Sequence, residues 1–600
     1  MPDIATPPRS AVPLDRTWDA ASVFPTVEDW EAEADALAED LSELEAFAGR
    51  LAEGPSATLE ALEARDELIR RLGRVLAYCG MDYSVETTDQ EAVARLGRGQ
   101  ALLGRVAAAI SFLEPELLAL GRDRLLEWSG ADAGFDPYAH YLEDLFRRGE
   151  HVRSSEVEEL LGLLADAQSG PALVYSGLTD SDLGFAVASG VSGDTVEVTQ
   201  GSIHALLGSP DRALRRSAWE GYADGYRSVR NTLAANYATA IKHDVFSGRA
   251  RRHESSRAAS LHRSNIPLEV FDSLLETFER HLPTWHRYWQ VRAALLGVDS
   301  LQPYDLWAPL AADPPELTYE QCVEWICESL APLGDEYVTT VRRGCLEERW
   351  VDVYPNQGKT GGAFSSGAPG THPFILMSFD GTATSLGTLA HELGHSMHSY
   401  LTWETQPVVS SRYSMFVAEV ASNFHQVLLR AHLFEVITDR DLQLAVLDEA
   451  MANFHRYFFV MPTLARFERE MHERVERGEG LTADLLDERM ADLFAEAYGP
   501  DFSVDRERVG ITWAQFSHLY APFYVYQYAT GISGAHALAR GVLAGEPGAA
   551  ERYLDFLRAG GSAYPLDILR HAGVDLTSSE PVEETFAVLG SLVDRLEQLA

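Results

Sequence analysis

Lysine is nearly missing. The 600-residue chain has only Lys242 and Lys359, and its other basic side chains are all arginines. Against 49 basic residues stand 91 acidic ones, a formal net charge of −42. Such a surface repels phosphate backbones and anionic lipid, which argues against nucleic-acid and membrane-surface partners. The acidic excess fits a high-salt cytosol or simply a GC-rich genome. Cysteine is scarce too: Cys79, Cys322, Cys327 and Cys345 form no C-x-x-C pair and are too few for a disulfide framework. They read as reduced packing residues. No apolar run reaches membrane-spanning length, and no basic segment followed by an apolar core opens the chain. The expectation is a soluble, cytoplasmic protein with no obligate protein partner.

What remains is globular: 46% hydrophobic and 23% charged residues. Residues 1–16 are Pro-rich and read as a loose N-terminal arm. From Val27 to about Leu164 the pattern is helical, with Glu31–Leu51 and Thr58–Leu76 the clearest helices and Pro55 and Gly130–Pro137 as turns. Residues 183–199 alternate on both sides of Gly-Val-Ser-Gly-Asp, which predicts a β-hairpin and a boundary nearby. The expected domains are therefore 17–200, an N-terminal helical domain, and 201–600. Ser209-Pro210 is expected to open a helix, with Ser209 as its cap.

One stretch organises the rest: Leu386-Gly-Thr-Leu-Ala-His-Glu-Leu-Gly-His-Ser-Met-His-Ser-Tyr-Leu401. Its apolar residues recur at helical spacing. His391 and His395 project from one face, about 6 Å apart along the axis, and Glu392 stands beside the first. This is H-E-x-x-H, two zinc ligands with a carboxylate next to an open coordination position. With 19 histidines in the chain, chance supplies about 0.05 such matches. The extended form of the motif is excluded, because it needs glycine at His398 and histidine at Leu401. His398 lies about 10 Å along the axis from His391 and reads as a packed or hydrogen-bonded histidine.

A carboxylate from a second helix is the remaining third ligand. Ser414-Met-Phe-Val-Ala-Glu-Val-Ala-Ser-Asn-Phe424 is almost wholly apolar around Glu419. A buried carboxylate is costly unless it is paired or metal-bound. An arginine partner is the alternative; Glu404 and Glu435 have more polar neighbours and fit less well.

Upstream, Trp350–Tyr354 and Phe374–Phe379 are strand-like, and Gly358–Gly370 between them is Gly-rich. Gly358-Lys359-Thr360 resembles the end of a phosphate loop, but Val353 stands where that loop needs glycine. Nucleotide binding is rejected, and the loop reads as a flap or a plain surface loop. The Phe374–Phe379 strand is expected to offer a free edge to an extended peptide. Downstream, Pro522 is expected to start a helix with His518 on the loop before it. Tyr520, Tyr524 and Tyr528 then recur every four residues, either as core or as hydroxyls that stabilise a charged intermediate.

The chain resembles oligoendopeptidase F, within the thimet-oligopeptidase family of zinc metallopeptidases. The matching pieces are Thr388–Ser399, Phe416-Val-Ala-Glu-Val-Ala-Ser422, Tyr304-Asp-Leu, Gly361-Gly-Ala-Phe, and His518 with Phe-Tyr-Val-Tyr-Gln-Tyr-Ala-Thr-Gly531. The resemblance implies a mainly α fold, two helical lobes around a deep substrate channel, with a small antiparallel β element next to the zinc helix. It implies one zinc ion per chain and cleavage of short unfolded oligopeptides. It makes His391, His395 and Glu419 the metal ligands and Glu392 the catalytic carboxylate. His518, Tyr524 and Tyr528 match the residues that hold substrate and oxyanion. Asn423-Phe-His-Gln426 departs from relatives, which often end this stretch in an acidic residue. A zinc carboxypeptidase, or a helical scaffold with a chance motif, are the competing readings.

Overall fold

The structure, a computed structural model, describes residues 6–599. Helices carry most of the chain. Those needed below are α1 (Val27–Glu45), α2 (Pro55–Val85), α3 (Ala383–Thr405), α4 (Met415–Val436), α5 (Met461–Glu476) and α6 (Tyr526–Leu543). The strands among the described residues are short: β1 (Ala188–Ser189), β2 (Thr195–Val196), β3 (Val351–Asp352), β4 (Phe364–Ser366) and β5 (Phe374–Leu376). The chain gathers into two compact units that interleave along the sequence. One takes the chain up to Glu150, then Glu316–Glu435 and Leu538–Gly573; the other takes His151–Pro315, Val436–Ala537 and the chain from Val574.

In the first unit α1 begins at a capping box, with Thr26 accepting from the Asp29 N–H and Asp29 reaching back to the Thr26 N–H. Pro55, expected in a turn, is instead the first residue of α2, where a missing N–H costs nothing. Trp30, Leu37, Leu72 and Val75 form a buried apolar cluster with Phe374 and Leu376 of β5. The sheet order is β3-β5-β4, with β3 parallel and β4 antiparallel to β5. The sheet is thus mixed, and its antiparallel part is the β4–β5 pair. β5 is its central strand, so the free edge expected there lies on β4, inside the Gly-rich stretch. Helix α3 packs against both β4 and β5.

The base of that stretch is tied down. Lys359 Nζ lies 2.7 Å from Asp352 Oδ1 and donates to the carbonyls of Asp352 and Tyr354. Its charge is spent inside the protein, which agrees with the rejection of a phosphate site. Arg9 donates to the same buried Asp352 at 2.9 Å, and the Gln357 N–H donates to the Pro7 carbonyl. The expected loose arm is therefore anchored at Arg9 by a buried carboxylate and at Pro7 by a backbone hydrogen bond, partners that sequence patterning does not reveal. Residues 1–5 of the arm lie outside the described residues.

In the second unit the expected hairpin is β1–β2, paired antiparallel. The helix expected at Ser209-Pro210 starts at Arg212, because Asp211 accepts from the N–H groups of Ala213 and Leu214 and so takes the cap. An aromatic core gathers Trp285, Trp289, Phe459, Tyr498 and Phe502. A π-helical turn, Arg456–Val460, leads into α5. Among the described residues no helix is long and apolar enough to cross a membrane.

Candidate active site

Helix α3 is built for close approach. Thr382 caps it by accepting from the Ser385 N–H. Gly394 then faces α4: a Cβ there would stand 2.5 Å from the Ala421 carbonyl and 2.5 Å from the Ser422 Cα. A glycine within the H-E-x-x-H turn thus lets the second helix come near enough to share a ligand sphere.

His391, His395 and Glu419 do converge, each offering a ligand atom within 4.8 Å of the others. The two imidazole rings are 4.8 Å apart and nearly perpendicular. His391 Nε2 lies 3.7 Å from Glu419 Oε2. On its other side, His391 Nδ1 lies 3.1 Å from Gln426 Oε1. Gln426 Oε1 thus accepts from Nδ1, and Nε2 is the nitrogen that faces Glu419. The His395 ring hydrogen-bonds the Ala418 backbone, while burial drives its pKa well below the ordinary value. A neutral imidazole is the form that binds metal. Ser422 Oγ donates to Glu419 Oε2 at 3.3 Å. Two imidazole nitrogens and a carboxylate suit zinc, and the three residues lie close enough to share one ion.

Glu392 is 6% exposed, and its Oε2 is buried with no hydrogen-bond partner. Burial pushes the carboxyl up to about 7, with His391 and the Ser365 backbone N–H opposing the shift and the Glu419 charge adding to it. Such a carboxyl can take and return a proton near neutral pH. Ser365 belongs to β4, and its Oγ lies 2.8 Å from Ser396 Oγ on α3. The Gly-rich stretch therefore reaches the Glu392 carboxyl through a strand residue. Its sequence signal is confined to the neighbouring Gly361-Gly-Ala-Phe. His398 is buried and stacks on Tyr413 at 3.6 Å, the packed histidine expected. His425 is turned elsewhere, 2.7 Å from the Tyr337 hydroxyl.

The second cluster lies in the other unit. His518 sits in a short 3-10 turn, Ser517–Tyr520. Its ring is 5.9 Å from those of Tyr524 and Tyr528, whose hydroxyls are 3.2 Å apart. Burial lowers the His518 pKa, and Arg456 lowers it further. Tyr457 stacks parallel on Tyr528 at 5.1 Å, a contact with no sequence signal. Tyr520 does not join them. It packs on Tyr175 and Tyr237 and shares a hydrogen bond with Asn236. The expected tyrosine stripe fails because α6 starts at Tyr526, not at Pro522. Pro522 and Phe523 form a turn instead, so the three tyrosines do not lie on one helix face.

Comparison with known proteins bears on this arrangement. Residues 205–588 match peptidase family M3, and residues 116–185 match the oligopeptidase F family. Oligopeptidase PepF of Bacillus subtilis is 36% identical over 99% of this chain and 88% of that protein. Group B oligopeptidase PepB of Streptococcus agalactiae is 34% identical over 98% of each chain. The crystal structure of oligoendopeptidase-F from Enterococcus faecium superposes with a TM-score of 0.75 at 30% identity, covering 95% of this chain and 99% of that one.

Proposed function

The chain belongs to peptidase family M3 and is a metalloendopeptidase, and on that premise we propose that it uses one zinc ion to hydrolyse internal bonds of short, unfolded oligopeptides. The chief support is the convergence of His391, His395 and Glu419 beside a buried Glu392 whose Oε2 has no hydrogen-bond partner. His391, His395 and Glu419 would hold the metal. A zinc ion bound there supplies Lewis acidity, lowering the pKa of water and polarising the scissile carbonyl.

The chain's own groups do the rest. Glu392 accepts a proton from the attacking water and passes it to the leaving amine, which its raised pKa favours. Gln426 accepts from His391 Nδ1, so that Nε2 is the nitrogen turned toward Glu419. His518, Tyr524 and Tyr528 are assigned the holding of substrate and the donation of hydrogen bonds to the oxyanion. That role rests on the family resemblance and on the clustering of the three rings. The unpaired edge of β4 suits an extended peptide, which would pair with it through backbone hydrogen bonds. Four free, buried cysteines suit a reducing cytoplasm.

The test joins metal analysis to mass spectrometry of products from an oligopeptide blocked at both ends. One equivalent of zinc and internal cleavage, lost with chelator and restored by zinc, are expected. Cleavage that requires a free C-terminus would make the protein a carboxypeptidase. A protein without stoichiometric metal would sink the zinc assignment.

A further inference from the structure

Phe523 has a backbone φ of 52°, in the left-handed region that a bulky side chain rarely occupies. It is buried, and it directly precedes Tyr524. The peptide unit that joins it to Pro522 is held at both ends. Ser260 Oγ donates to the Pro522 carbonyl at 2.6 Å. The Phe523 N–H donates to Glu468 Oε1 at 2.6 Å. Ser260 lies on the Ser256–His262 helix and Glu468 on α5, so two separate elements grip one peptide plane. The Phe523 ring is wedged between Phe271 at 5.8 Å and His472 at 4.7 Å.

Rotation of this peptide is the motion that would let Phe523 return to negative φ, because the plane sets ψ of the proline and φ of the next residue together. Either hydrogen bond would be broken by it. Glu468 is also an expensive group for its place. It is wholly buried, and its Oε2 has no hydrogen-bond partner. Burial pushes the carboxyl up to about 8, with His472 and the Phe523 N–H opposing and Asp244 adding. Its Oε1 serves as the acceptor for one backbone N–H.

We propose that Glu468 and Ser260 clamp the Pro522–Phe523 peptide in its strained form and so position Tyr524, making Glu468 a positioning residue for the Tyr524–Tyr528 hydroxyl pair. A strained conformation held by two side chains next to a functional residue is where folding energy is spent on geometry. The inference rests on the role given to Tyr524 above.

The experiment uses the full-length, zinc-loaded protein and an end-blocked oligopeptide, reading kcat and KM separately, with zinc content as a control. Glu468→Leu should lower kcat by about 10- to 100-fold, the scale of a displacement near 1 Å, with zinc content unchanged. Glu468→Gln, which keeps the acceptor, should restore most of that loss. In a Tyr524→Phe background Glu468→Leu should cost roughly twofold or less, because the group it positions is gone. Equal losses in both backgrounds, or a Gln variant as impaired as the Leu variant, would overturn the clamp. Should Glu468→Leu fail to fold, Ser260→Ala removes the other grip; its kcat must fall in the wild-type background and not in Tyr524→Phe, and wild-type kcat would overturn the clamp. If Tyr524→Phe alone keeps wild-type turnover, the role of Tyr524 falls first and the clamp loses its function with it.

Discussion

His391 Nδ1 meets Gln426 Oε1 at 3.1 Å, and this contact leaves Nε2 as the nitrogen that faces Glu419. A carboxamide does this with a dipole, where an acidic residue would use a full charge. Gln426→Leu should weaken zinc binding by about 10- to 100-fold. Gln426→Glu should tighten it, since a charged acceptor raises the basicity of the ring. Competition against a zinc chelator measures both, and unchanged affinity in the Leu variant would remove Gln426 from the site.

Glu392→Gln keeps the shape of the side chain and removes its basicity. Turnover should fall by about 10²- to 10⁴-fold while zinc stoichiometry is retained. Wild-type turnover in a zinc-loaded Gln variant would refute the proton-transfer role. Glu419→Ala should do the opposite and lose the metal itself.

Gly394 is a test of the helix crossing. Gly394→Ala drives a methyl group against the Ala421 carbonyl and the Ser422 Cα, each 2.5 Å from the new carbon. The two helices must separate, at about 1–3 kcal/mol of stability. Zinc affinity should drop as Glu419 recedes from the histidines. Equal zinc affinity in wild type and variant would show that the crossing is not needed for metal.

His455 makes stability depend on pH. It is buried against Trp289, Trp307 and Phe459, and its pKa is pushed from 6.5 to about 3, by burial first and by Arg292 second. Between those values the unfolded chain binds the proton and the folded chain does not. Stability therefore rises with pH across the window and is lost as pH falls below about 6.5, at about 1.4 kcal/mol per pH unit for this group. His455→Phe should flatten that slope by one proton. Urea midpoints measured from pH 4 to pH 7 read the difference, and parallel slopes in the two proteins would count against a neutral buried His455.

The site was legible to different depths in the sequence. His391, Glu392 and His395 could be placed together because four residues on a helix span one turn. Glu419 could be singled out because its neighbours are apolar, and its 4% exposure bears that reasoning out. Gln426 stood out only as a departure from relatives. Ser365 and Tyr457 carried no signal of their own, since each matters through a neighbour distant in sequence.

What the sequence determined alone was local: helical periodicity, the spacing of the histidine pair, a carboxylate set among apolar residues, and the acidic excess. These depend on a few successive residues and on elementary chemistry. The tertiary structure decided what required distant partners. β5 became central because β3 and β4 flank it from both sides. Asp352 holds Arg9 and Lys359 although neither is its neighbour in sequence. The Pro522–Phe523 peptide ahead of α6 is held by Ser260 and Glu468, neither of them near it in sequence. A hydrogen bond between residues far apart in the chain leaves no periodic trace in it, so only the folded molecule reveals it.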